Sequence, residues 1–143
     1  MTTPRKLLVD PVHECDYHLA SRCVRRSHLC GFDAPARRDF SHRRTWLPER
    51  LRLLVPAFAV DLYAYAVMSN HFHLAVRHDP LACRAWDDDE VAARWLDAFP
   101  PTVAGAVAEE LKPERRELML GDPGRVARAR ATLGSLSHFM KHL

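Results

Sequence analysis

The stretch that most constrains this chain is residues 60–77, "VDLYAYAVMSNHFHLAVR". Apolar and polar residues alternate up to Met68, a two-residue link follows at Ser69-Asn70, and alternation resumes at His71. Strand side chains point alternately to opposite faces. Residues 60–68 therefore predict one strand, with Leu62, Ala64, Ala66 and Met68 on one face and Tyr63, Tyr65 and Val67 on the other. Residues 71–77 predict a second strand, and the short link predicts an antiparallel hairpin. In that strand His71 and His73 project together, while Phe72 and Leu74 face the opposite way, into a core.

The spacing of the two histidines decides little alone. Nine histidines in 143 residues generate roughly half an H-x-H pair by chance. The bland reading is two surface imidazoles on a half-exposed sheet. The functional one is a pair of metal ligands, since neutral imidazole binds divalent cations and two on one strand face can share an ion. His138 and His142 stand at i, i+4 on the last helix, with no acidic neighbour. His18, His28, His42 and His78 form no readable set.

Other elements follow from periodicity. Residues 17–25 predict a strand carrying His18, Ala20, Arg22 and Val24 on one parity. Residues 43–55 predict a helix with Leu47, Leu51, Leu54 and Phe58 in one stripe, Thr45 as its N-cap and Pro56 ending it. A helix is expected over Asp88–Phe99, with the acidic run Asp87–Glu90 at its positive N-terminal end. Further helix is expected over Ala104–Leu111, a short turn within "KPERRELMLGDPGR", and one amphipathic helix through "RVARARATLGSLSHFMKHL". The order strand, helix, strand, strand, helical insertion, helix is most of a ferredoxin-like split βαβ plan, an α+β fold here lacking its last strand. The chain reads as one domain, 1–143, with the insertion at about 80–124.

Charge is uneven. Residues 22–52 hold nine Lys/Arg against three Asp/Glu, whereas residues 80–143 hold nine against ten. Arginine suits phosphate because its guanidinium forms a bidentate fork, so Arg22, Arg25, Arg26, Arg43 and Arg44 are candidate nucleic-acid contacts. A solvated basic face with no partner is the equal alternative. No apolar run is long enough to cross a membrane, and no secretion signal is read at the N-terminus, so the expectation is a cytoplasmic protein. Cys15, Cys23, Cys30 and Cys83 form no Cys-x-x-Cys pair and read as reduced thiols rather than a zinc site.

At "AYAVMSNHFHLAV" the chain resembles the HUH single-tyrosine transposases, in particular the group related to REP-associated tyrosine transposases. The family motif is a strand ending in a Met-Pro-Asn or Met-Ser-Asn turn, then His, a hydrophobic residue and His, here Met68 to His73. The likeness extends to "YHLASRCVRRSHLCG", "RRTWLPERLRLL", "EVAARWLDAFP" and "LSHFMKHL". It implies a ferredoxin-like domain acting on single-stranded or hairpin DNA, with Mg²⁺ or Mn²⁺ at His71 and His73. It also implies strand cleavage and transfer by a tyrosine that attacks the phosphorus, and it admits a homodimer. Tyr17, Tyr63 and Tyr65 are the only tyrosines, and none matches the family's nucleophile. The expectation is an N-terminal transposase portion, truncated and inactive alone, with half of a metal site. The competing expectations are a stand-alone nucleic-acid-binding module without catalysis and a decayed product.

Overall fold

The computed structural model describes residues 8–23 and 29–143. Its main sheet has three strands, β1 (Cys15–Arg22), β4 (Val60–Val67) and β5 (His71–His78). They lie in the order β1-β5-β4, each neighbour antiparallel. Between β1 and β4 come a small ribbon, β2 (Phe32–Asp33) with β3 (Arg38–Asp39), a 3-10 turn at Ser41–Thr45 and helix α1 (Trp46–Leu54). After β5 come α2 (Asp88–Ala98), a ribbon of β6 (Thr102–Val103) with β7 (Ala106–Val107), and helices α3 (Lys112–Leu120), α4 (Pro123–Leu133) and α5 (Leu136–His142). The chain is thus α+β.

One sheet face is covered and the other is open. Leu74 and Val76 of β5 are fully buried, in one cluster with Leu51 and Leu54 of α1, Leu133 of α4 and Phe139 of α5. On β1, Tyr17 and Leu19 pack against that cluster, while Asp16, His18, Ala20 and Arg22 are exposed. Burying that many large aliphatic side chains on one face is the main force holding sheet to helices.

The expected hairpin is present. Met68 N–H donates to the His71 carbonyl at 2.8 Å, closing the Ser69-Asn70 link. The predicted parity of residues 60–68 fails at Tyr63, however. Register shifts between Leu62, opposite Val76, and Ala64, opposite Ala75. The extra residue is a β-bulge, which turns every later side chain over. Leu62 therefore packs on the core, whereas Ala64 and Ala66 share the open face with Ala75 and His73, their register partners.

Other expectations move by a few residues. The first strand starts at Cys15 and ends at Arg22, rather than covering 17–25. Thr45 holds the N-cap position of α1 but makes no capping bond, and its hydroxyl points back to the His42 carbonyl. The 3-10 turn before it already supplies acceptors for the first N–H groups. The helix stops at Leu54, before Pro56, as expected. Asp87 caps α2, its carboxylate accepting from Glu90 N–H at 2.7 Å.

Three helical expectations are revised. Residues 104–111 do not form a helix. Ala104 (φ 51°) and Gly105 (φ 84°) make the tight turn between β6 and β7, a left-handed pair of the kind two-residue hairpin loops require; only Glu109–Leu111 is helical, a 3-10 turn. The "KPERRELML" segment is a full helix, α3, with Pro113 in its first turn, where the missing N–H costs nothing. The last segment is two helices. Gly134 ends α4, and Ser135 caps α5 by accepting from His138 N–H. Gly134 is demanded by packing: a Cβ there would lie 2.6 Å from Cys83 Sγ.

Candidate metal and nucleic-acid site

His71 and His73 stand on the open face of β5, the central strand, half-buried. Their ring centroids are 5.0 Å apart. Opposite them in register on β1 are Arg22, facing His71, and Ala20, facing His73; Ala66 of β4 faces His73 from the other side. Small alanines thus flank His73 in register on both sides. Phe72 and Leu74 point into the core side, as the parity required.

Each histidine has a partner for Nδ1. His71 Nδ1 lies 2.7 Å from Asn70 Oδ1. A carbonyl oxygen only accepts, so Nδ1 carries the proton, and in the neutral ring Nε2 keeps its lone pair. His73 Nδ1 lies 2.9 Å from His18 Nε2, and the two rings stack with 5.0 Å between centroids and 14° between planes. His18, which sequence reasoning left out of any set, is therefore part of the site. The available signal was its parity with Arg22 on the first strand; what that parity could not supply was the register that places β1 beside β5. Asn70 was seen only as a turn residue.

The turn before His71 is clamped from one side. Cys23 N–H donates to the Asn70 carbonyl at 2.9 Å, and Leu29 N–H and Cys30 N–H both donate to the Ser69 carbonyl. The Cys30 thiol, buried, reaches the Met68 carbonyl. Four backbone and side-chain bonds on three consecutive carbonyls leave the turn little freedom.

The described candidate arginines have different surroundings. Arg22 shares the open face and neighbours His71. Arg43 is packed over the rings of Phe40 (4.2 Å) and Trp46 (5.4 Å), a cation–π arrangement. Arg44 is exposed on the 3-10 turn before α1. Arg25 and Arg26 lie outside the described residues. Arg77, on the open face beyond Ala75, is engaged by Glu14 and Asp16.

Two tyrosine hydroxyls are occupied. Tyr63, at the bulge, donates to Asp16 Oδ1 at 3.0 Å. Lost hydration, then the Asp16 carboxylate, push its pKa up. Tyr17 accepts from Asp10 N–H, and burial raises its pKa too. Tyr65 stands opposite Leu74, on the other side of the sheet. Of the other histidine pair, His142 turns inward against Phe99 and Phe58, so His138 and His142 do not present together.

Among the described residues no three His, Cys, Asp or Glu side chains converge as a metal-ligand group. His71 and His73 offer two imidazoles on one face. All four cysteines are free, two of them buried. No helix among the described residues is long and apolar enough to cross a membrane. No protein-family model, no curated protein and no solved structure matches the chain.

Proposed function

We propose that this chain binds single-stranded or hairpin DNA across the open face of its sheet, with His71 and His73 taking Mg²⁺ or Mn²⁺ against a phosphate. The reading places it with proteins of the HUH transposase type. The observation that carries it is the pair of imidazoles on one exposed face of the central strand, each with Nδ1 partnered. A ligand histidine usually donates its other ring N–H to a second group, which fixes ring and tautomer; Asn70 does this for His71. The order β1-β5-β4 with α1 between β1 and β4 supports a ferredoxin-like plan.

A bound divalent cation would withdraw charge from phosphoryl oxygens. The protein's own residues do the positioning. Arg22, beside His71, holds a backbone phosphate by charge and hydrogen bonds.

The test is Mn²⁺ binding followed by electron paramagnetic resonance, together with anisotropy of a labelled DNA hairpin. The expected result is Mn²⁺ binding abolished in His71→Ala/His73→Ala. DNA binding should also fall steeply with salt. Equal Mn²⁺ binding by wild type and double variant would overturn the proposal.

The occupied phenols favour a second reading, a binding module without tyrosine chemistry. A phenol held protonated is a weak nucleophile. Incubation with single-stranded DNA and Mn²⁺ should then leave no covalent adduct on a denaturing gel. An adduct lost in Tyr63→Phe would reverse that choice.

A further inference from the structure

Helices α2, α3 and α4 enclose a cavity of about 520 Å³ that is separate from the sheet face. Its floor is aromatic and apolar, including Trp95, Phe99 and Met119, and its rim carries Arg115, Arg125 and Arg128. The Trp95 and Phe99 rings are 4.6 Å apart. No Asp or Glu lines the cavity, although residues 80–143 hold ten acids against nine bases.

Five acids of this region are paired away from the cavity. Glu90 pairs with Arg94, Asp89 with Arg116, and Asp88 with Arg130. Asp97 and Glu109 share Lys112. The three arginines of the cavity stand outside these pairs. Among the described residues, Arg115 and Arg125 make no side-chain ion pair or hydrogen bond, and Arg128 reaches only Asp122, at 3.9 Å and on an exposed surface. Three cations around one apolar hollow repel one another unless an anion joins them. The hollow also has the size of a site for a small organic ligand, larger than a bare anion fills.

We propose that this cavity is a second nucleic-acid contact, taking one nucleotide of a single strand. The base stacks on the Trp95 face, and the phosphate is held by Arg115, Arg125 and Arg128. Base stacking on an aromatic ring beside cationic side chains is the general means of gripping single strands without reading sequence. Here both components converge on one hollow, with the arginines free to engage.

The test uses the full chain in EDTA, so that no divalent cation contributes. Deoxyadenosine monophosphate should quench tryptophan fluorescence, and Trp95→Phe should remove that quench while Trp46 and Trp86 still emit. Arg115→Ala/Arg125→Ala, both at exposed positions, should weaken nucleotide binding by about tenfold or more. It should also lower the salt slope of oligo-dT binding by about one per arginine. His71→Ala/His73→Ala should leave the quench unchanged, which separates this site from the sheet face. The proposal is overturned if inorganic phosphate competes as well as the nucleotide, for that means an anion patch with no base contact. It is equally overturned if the arginine double variant binds like wild type.

Discussion

His18 Nε2 lies 2.9 Å from His73 Nδ1 across the β1–β5 pair. Between two neutral imidazoles one nitrogen must donate and the other accept. If His73 donates, its Nε2 keeps a lone pair, matching that of His71, and both point their basic nitrogens away from their partners. His18 then acts as a positioning residue for the proposed cation site. His18→Ala should weaken Mn²⁺ binding by about 10- to 100-fold, the usual effect of removing such a partner, measured by electron paramagnetic resonance. Long-range ¹H–¹⁵N correlation spectra of the metal-free protein should show His73 protonated at Nδ1. Protonation at Nε2 instead would remove His18 from that role.

Gly134 and Cys83 are packed too closely for any side chain between them. Gly134→Ala should cost about 1–3 kcal/mol, the usual penalty of overfilling a dense site, read as a lower urea midpoint with unchanged slope. Cys83→Ala removes the clashing sulfur. The double variant should therefore be more stable than the sum of the single effects predicts, and simple additivity would show that the contact is not the cause.

Arg130 ties the β5–α2 connection to α4. One of its terminal nitrogens donates to the carbonyls of Cys83 and Trp86, and the other to Asp88. A lysine cannot reproduce a planar fork that serves three acceptors. Arg130→Lys should lose about 1–3 kcal/mol in chemical denaturation. A change under a few tenths would mean that water replaces those bonds without penalty.

His142 supplies a pH dependence. Burial against Phe99 and Phe58, then the nearby Lys141 and Arg50 charges, hold its pKa below the ordinary histidine value. The native state thus resists protonation while the unfolded chain accepts a proton near pH 6.5. Above that pH both states are neutral and nothing is lost. As pH falls from about 6.5 toward the lowered native value, stability should decline. His142→Gln should flatten that part of the profile in thermal melts taken between pH 7.5 and 5; an unchanged slope would assign the effect to another group.

Local pattern carried much of the fold to the page. The β4–β5 hairpin, α1 and the start of α2 are each written in contiguous residues, through alternation, a leucine stripe and an acidic run at a helix N-terminus. The face shared by His71 and His73 followed from the same alternation. What pattern could not supply was anything depending on distant chain. The bulge at Tyr63 is set by pairing, so parity counted from Val60 failed beyond it. Gly134 splits the last helix because Cys83, far away in sequence, comes within touching distance. Residues 104–111 suggest helix because the alanines and valine of 104–108 carry no strand-specific rhythm, while β6 and β7 are fixed by their pairing. His18 was invisible as a site residue for the same reason: its partner is 55 residues away.

That separation gives the site an internal order of assembly. The β4–β5 hairpin closes over the Ser69-Asn70 link, so His71 and His73 take up their relation early and cheaply in chain entropy. β1 must close a far longer loop to dock, and loop closure is paid before the contacts it allows. β1 is also held by only one neighbour among the described residues, whereas β5 has two. Local opening of such an edge needs less free energy than global unfolding. The histidine trio thus joins a local pair on the central strand to a third ring carried by an outer strand of the described sheet.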